Sequence, residues 1–375
     1  MSARITQSDI ARVAGVHNTT VSLALRNSRL IRSSTRERIQ SIAKAMGYHP
    51  DPALQALIAY RSSRHARLTA ENLAYITNWE TKWGWCDLPT HGLHYHAARR
   101  RAGELGYQLE HLWLGEAGLS LRRLDSVLLH RGITGVLFAG SHNSDLDFGE
   151  IDWSRLSVVR IGGFPQTPAF NQLGDDPGSI VQLAMQHVLS AGYRRIGLVL
   201  SHRWDKLTGQ VWSAAFHAEQ YRCHLHDRLP VLRLQSPLED QPQAVPSAHE
   251  LANDAAALLH WHRQYRPDVV LGTAPCVLDH IRRSGFRAPE DFGYADLMLD
   301  APGRGIAGVW VDCAKVGALA VELLNGQLQH NEYGIPATPT FTSVGCSWHD
   351  GNSMPLQART GTALETVQAE HSLRI

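Results

Sequence analysis

Four adjacent residues, His17-Asn18-Thr19-Thr20, bring together an imidazole, an amide and two hydroxyls where a helix should begin. Small hydrogen-bonding side chains at an exposed helix N-terminus suit base edges and phosphates, because the helix end adds free N–H groups and a positive dipole. A second group, Asn78-Trp79 with Trp83 and Trp85, puts three tryptophans just past a β-rich run. Aromatic faces beside polar groups suit the apolar faces of a sugar or a nucleobase. The same rings can equally fill an interface between lobes. Trp204 and Asp205 stand in an equivalent place after the run Arg195–Ser201.

Enzymatic chemistry finds little support. Cys86, His91, His94 and His96 offer thiolate and imidazole ligands of the kind zinc takes. That stretch reads as a helix start, where residues i and i+2 point apart, and no acidic companion is evident. Gly303-Arg-Gly305-Ile-Ala-Gly308 matches GxGxxG, but it precedes a strand instead of opening a helix. There is neither a GxSxG nucleophile elbow nor a phosphate-binding P-loop. No catalytic residue, cofactor or metal is expected. Five scattered cysteines, an odd number without any CxxC, fit a reducing cytosol better than a disulfide framework. The N-terminus lacks a signal-peptide core and no apolar run reaches the roughly 20 residues of a membrane span, so a cytoplasmic protein is expected.

Charge divides the 375 residues unevenly. Residues 1–64 hold ten Lys/Arg against three acids, a net of +7, and the remainder is −6. All ten tryptophans lie at Trp79 or later. A small basic head on a mildly acidic body points to a polyanionic partner for the head alone.

The head reads as short helices. Thr6-Gln-Ser-Asp9 is a capping box, followed by Ile10, Val13 and Ala14 on one face and a stop at Gly15. A second helix begins near Asn18 and buries Val21, Ala24 and Leu25, after a turn short enough for a helix-turn-helix. Ser34-Thr-Arg-Glu37 forms a second capping box for a third helix ending at Gly47, and Asp51-Pro52 opens a fourth.

The stretch from Ile5 to Arg61 resembles the headpiece and hinge of the lactose-repressor (LacI) family of bacterial transcription regulators. The matching pieces are D-I-A-x-x-A-G-V, T-V-S, T-R-E-R-I and G-Y-x-P. The resemblance implies that Asn18 and Thr19 read bases, that Thr20 and Ser22 hold phosphates, and that Arg29 reaches the operator. It also places Leu57 where the family wedges a leucine into the minor groove, a step that an apolar residue flanked by Arg61 and Arg64 suits physically. His17 departs from the usual serine or threonine cap, and Leu23 from a common base-reading Arg or His.

In the body, β-rich runs alternate with helical stretches, the pattern of parallel α/β sheets. So many strands favour two lobes over one sheet. GYRRIGLVL (192–200) and P-E-D-F-G (289–293) extend the resemblance to the family's two-lobed effector domain, like that of periplasmic sugar-binding proteins. The expected organisation is a helix-turn-helix head at 1–49, a hinge helix and linker at 50–70, and an effector and dimerisation domain at 71–348. Lobe 1 takes about 71–171 and 303–330, lobe 2 about 172–300 and 334–348, with crossings near 171–174, 300–305 and 330–336. Residues 349–375 are expected to form a disordered tail. The resemblance puts Asp176 near the effector, and Trp212 where many members grip it with an arginine.

The resulting expectation is a dimeric regulator, more a repressor than an activator, binding a near-palindromic double-stranded operator under control of a small neutral effector such as a sugar. Two rivals stand beside it: a DNA-binding regulator controlled by a partner protein, and a metal-dependent hydrolase with a DNA-binding head. For the head, operator affinity of the full chain should fall steeply with added salt, losing about 0.9 log unit per log of salt for each phosphate neutralised. Filter binding between 50 and 200 mM salt checks this; a flat response would remove the electrostatic docking role.

Overall fold

A computed structural model describes residues 5–28, 30–48, 71–141, 148–162, 167–236, 247–273, 275–303 and 305–357. Arg29, Leu57, the expected hinge at 50–70 and the segment 358–375 lie outside the described residues. The chain divides into two units, Met1–Gly174 with Asp312–Val344, and Asp175–Val311 with Gly345–Ile375.

The first unit opens with the head: α1 (Gln7–Ala14), α2 (Asn18–Leu25) and α3 (Ser33–Ala45). The Thr6–Asp9 capping box forms, with Thr6 N–H donating to Asp9 Oδ2 at 3.0 Å and Asp9 N–H to Thr6 Oγ1 at 3.3 Å. Gly15 closes α1 at φ +65°, a conformation that favours glycine. Ile10, Ala14, Val21, Ala24, Ile39 and Ala43 seal the core. Val13, expected inside, is exposed, and Ala11 takes its place against the other helices. Leu25 is only half-buried. The second capping box does not form: α3 starts two residues early, at Ser33, and its N-cap Arg32 offers no side-chain acceptor.

The remaining elements of both units follow in chain order. They are β1 (Glu71–Asn78), α4 (Pro89–Leu105), β2 (Tyr107–Trp113), α5 (Leu121–His130), β3 (Gly135–Ser141), β4 (Ser157–Ile161) and β5 (Asn171–Gly174). Next come α6 (Pro177–Ser190), β6 (Ile196–Ser201), α7 (His202–Leu207), α8 (Val211–Glu219), β7 (Leu232–Leu234), α9 (Ala248–Tyr265), β8 (Val269–Gly272), α10 (Pro275–Arg283) and β9 (Gly293–Asp296). The chain closes with β10 (Ala307–Val311), α11 (Cys313–His330), β11 (Phe341–Ser343) and β12 (Cys346–His349).

The first sheet has the order β11-β5-β4-β3-β1-β2 and is parallel throughout. The second has the order β12-β10-β9-β8-β6-β7, parallel except where β12 runs antiparallel to β10. Strands such as β4, β6 and β8 are buried at every residue, as parallel strands covered by helices on both faces must be.

The second and third crossings fall later than expected. Residues 300–311 stay with the second unit because β10 pairs with β9 and β12. After α11 the chain remains in the first unit, lays β11 beside β5, and changes units only between Val344 and Gly345. The edge strand FTS is only three residues long and carries little apolar signal, which is why the sequence pattern placed the last crossing early. The expected tail also begins too soon. Residues 350–357 are bound to the second unit, with Ser353 Oγ accepting from Ala307 N–H at 2.9 Å and Tyr193 Oη donating to Pro355 O at 2.7 Å.

Helix α11 crosses α4 at Gly317, where an added Cβ would lie 2.0 Å from His94 O. That obstacle is backbone and cannot swing aside. Gly317→Ala should therefore cost toward the upper end of the roughly 1–3 kcal/mol typical of overpacking. Gly326→Ala on the same helix has open space and should gain a few tenths to about 1 kcal/mol from helix propensity. Urea unfolding of the two variants checks the contrast; equal stabilities would show that the crossing is not tight.

Candidate functional site

The head presents the N-terminus of α2. His17 is its N-cap, with Nδ1 accepting from Thr19 N–H at 3.4 Å and lying 2.9 Å from Thr19 Oγ1. His17, Asn18 and Thr19 are exposed, while Thr20 and Ser22 are half-buried. On the opposite side Val21 and Ala24 lock α2 to its neighbours. Gln40 of α3 fixes the other end, donating to Ala24 O at 2.9 Å and to Asn27 Oδ1 at 2.6 Å. The result is a rigid helix with a free amide-bearing tip.

Sequence reasoning missed Arg26. It folds back one turn to donate to Ser22 Oγ at 2.7 Å and to Ser22 O at 3.2 Å. A guanidinium is thereby held beside the hydroxyl expected to hold a phosphate. The four-residue spacing was the available signal.

In the first unit, Asn78, Trp79, Trp83 and Trp85 gather past the end of β1. Asn78 Nδ2 is buried without a hydrogen-bond partner among the described residues. Trp79 is buried, its ring edge-on to His91 at 5.1 Å and its carbonyl accepting from Trp113 Nε1 at 2.8 Å. Trp85 is sealed in the interior against Tyr75 and Tyr95, and its Nε1 donates to Lys82 O at 3.0 Å. It therefore offers no stacking face, contrary to expectation, because the unit's own aromatic core consumes it. Trp83 is 49% exposed and stands 4.6 Å from the His111 ring.

In the second unit, Asp176 caps α6, accepting from Gly178 N–H at 3.0 Å and Ser179 Oγ at 2.5 Å. Trp204 is half-buried on α7. Asp205, at 1% exposure, spends both oxygens internally: Ser213 Oγ donates at 2.9 Å and Arg233 Nε at 2.9 Å. It cannot also serve ligand hydroxyls as expected. Trp212 is likewise interior at 1% exposure. The aromatic bracket read from the sequence thus loses Trp85 and Trp212 and keeps Trp83.

His91 and His94 share one face of α4 with rings 5.8 Å apart, and the described residues hold no group of three or more His, Cys, Asp or Glu that could hold a metal ion. Gly303 and Gly305 sit in left-handed turns before β10. Among the described residues no helix is long and apolar enough to cross a membrane.

Residues 6–51 match the family model for bacterial regulatory proteins of the lacI family, and residues 185–354 match the periplasmic binding protein-like domain. The head is thus a lacI-family helix-turn-helix domain, joined to a periplasmic-binding-protein-like body. It is 26% identical over 196 residues to the HTH-type transcriptional regulator DegA of Bacillus subtilis, covering 51% of this chain and 54% of DegA. The chain thus spans about half the length of the curated relatives it matches. Among solved structures it resembles a CelR–cellobiose complex, with a TM-score of 0.56, 17% identity and coverage of 93% and 100% of the two chains. It also resembles a lac repressor dimer bound to operator and an anti-inducer, with a TM-score of 0.53, 17% identity and coverage of 94% and 100%. These likenesses establish the LacI-type fold.

Within that LacI-type body, two histidines are held neutral. Burial, and then His91 nearby, pushes His94 down to about 3. Burial, and then the Lys82 charge, pushes His111 down to about 4, while its Nε2 bonds Thr77 Oγ1 at 2.7 Å. Below the ordinary imidazole value of about 6.5 the unfolded chain takes up protons that the folded chain refuses. Stability should therefore be full above pH 6.5 and fall as pH drops toward 4. Thermal melts at pH 7.0 and 5.0 should show this loss, with a smaller slope in His94→Gln. An unchanged slope would show that His94 titrates freely in the folded chain.

Proposed function

We propose that this chain is a sequence-specific DNA-binding transcriptional regulator, acting as a repressor whose operator affinity is set by a small neutral effector such as a sugar. The observation that carries the reading is the tip of α2, where exposed His17, Asn18 and Thr19 stand on a helix fixed from behind by Val21, Ala24 and Gln40. Rigid presentation matters because base readout depends on side chains reaching groove edges in fixed register. The +7 charge of residues 1–64 supplies the phosphate attraction, and Arg26 beside Ser22 adds a cation on the same helix.

A pair of such heads in a homodimer would read two half-sites of a near-palindrome, so the operator should be nearly symmetric. Cytoplasmic residence fits this role. The effector half of the proposal is supported by the periplasmic-binding-protein-like domain and by the CelR relative, whose solved complex holds cellobiose. Asn78, with its buried unpaired amide, and the half-exposed Trp83 are the first-unit residues suited to such a ligand. Control is allosteric only if the effector binds DNA-competent and incompetent states with different affinity.

DNA selected from a random pool by the purified full chain tests the reading. A near-palindromic consensus is expected, and Asn18→Ala and Thr19→Ala should each relax preference at one position per half-site by about 1–3 kcal/mol. Selected sequences without a consensus, or variants with unchanged base preference, would overturn the assignment of α2.

A further inference from the structure

The head is tied to the rest of the first unit by a contact that the hinge does not supply. The last carbonyls of a helix lack partners within it, and α2 finds most of its own inside the head. Ser28 N–H donates to Leu23 O at 2.9 Å and Asn27 N–H to Ala24 O at 3.2 Å, beside the bond from Gln40. The Arg26 side chain turns back onto Ser22. The Arg26 carbonyl, at the C-cap of α2, instead accepts from Asn331 Nδ2, 305 positions along the chain. Both residues belong to the first unit. Asn331 is itself the C-cap of α11, in the left-handed conformation at φ +55°. The chain around it is pinned to the start of β4: Ser157 Oγ donates to Glu332 O at 2.7 Å and Gly334 N–H to Leu156 O at 2.9 Å.

We propose that Asn331 is a docking residue through which the body orients α2 for DNA, with α11 as the rod that carries movement to it; the proposal rests on the reading of this chain as a DNA-binding regulator. The rod is well placed. Its N-cap, Asp312, is the first residue after the chain leaves the second unit, and its 18 residues span about 27 Å before Asn331. Packed against α4 so closely that an added Cβ at Gly317 would meet the His94 carbonyl, α11 moves with the first unit as one piece.

The end of α2 that is held decides the sign of the effect. Asn331 takes the carboxyl end, whereas the exposed His17, Asn18 and Thr19 stand at the other. Docking therefore leaves the tip clear and supports DNA binding. A docked head has already given up orientational freedom that a head tethered by the chain alone must lose on meeting DNA. The bond is also weak enough to switch. It joins a half-buried Asn331 to an exposed Arg26, and one such hydrogen bond shifts an equilibrium only a few-fold. A shift of roughly 1 Å at the end of α11 carries the pair out of hydrogen-bonding reach and frees the head.

Asn331→Gly in the full chain is the test, since glycine keeps the left-handed cap of α11 and removes only the amide. Amide exchange of the DNA-free protein should quicken at least threefold in residues 23–28, while the urea midpoint stays that of the wild type. Affinity for a duplex selected from a random pool by the wild type should fall about three- to tenfold, the worth of one hydrogen bond. Affinity for a shuffled duplex of the same length should not change, because non-specific binding rests on phosphate attraction and needs no fixed orientation. Asn331→Asp tolerates the same backbone and sets an oxygen against the carbonyl, so it should weaken selected-duplex binding at least as much. Unchanged exchange in both variants would overturn the docking. Quickened exchange with undiminished affinity for the selected duplex, or an equal loss on both duplexes, would overturn its role in orienting α2. A wild type that selects no duplex would instead overturn the regulator reading, and the exchange arm would still decide the contact.

Discussion

Parallel strands tolerate water on neither face. That constraint governs the whole body of this molecule. Strands such as β4 and β6 are buried at every position, so each sheet must be clothed by helices on both sides before it is stable. In the first unit the cover includes α11, contributed by chain that follows residues 175–311 of the second unit. Its approach is close enough to α4 that only glycine fits at position 317. The loop that follows β1 inherits its position from this packing. Trp83 is held where it is because Trp85, Tyr75 and Tyr95 beneath it belong to the same covered face.

Much of this was legible in residue types. The Thr6–Asp9 box, the stop at Gly15 and the apolar runs of the central strands are local signals, and each specifies its element without help from afar. The last two strands on one side of the first sheet were not legible, since NQLG and FTS become strands only because β4 and then β5 offer unpaired backbone groups to them. The candidate site was read less well than the fold, for a related reason. A tryptophan in a loop has the same sequence signature whether it faces a ligand or plugs a core. Only the burial of Trp85 and Trp212 separates them from Trp83. Likewise Asp205 looked available until Ser213 and Arg233, eight and 28 positions away, were seen to occupy it.

The head differs from the body in kind. Its three helices close a core from one continuous stretch of chain, and the contacts that fix α2 come from Gln40, only a short distance along the sequence. The exposed tip of α2 is therefore specified locally, whereas the first sheet depends on the pairing of β5 with β11 across more than a hundred residues.

That difference has a consequence for synthesis. The first sheet cannot gain β11, nor the second β12, until residues 341–349 have left the ribosome, and long-range pairing of this kind is slow to form. The head has no such dependence and can fold while the rest is still being translated. Through the later half of elongation, then, the growing polypeptide carries a finished helical head joined to two incomplete sheets with unpaired outer strands.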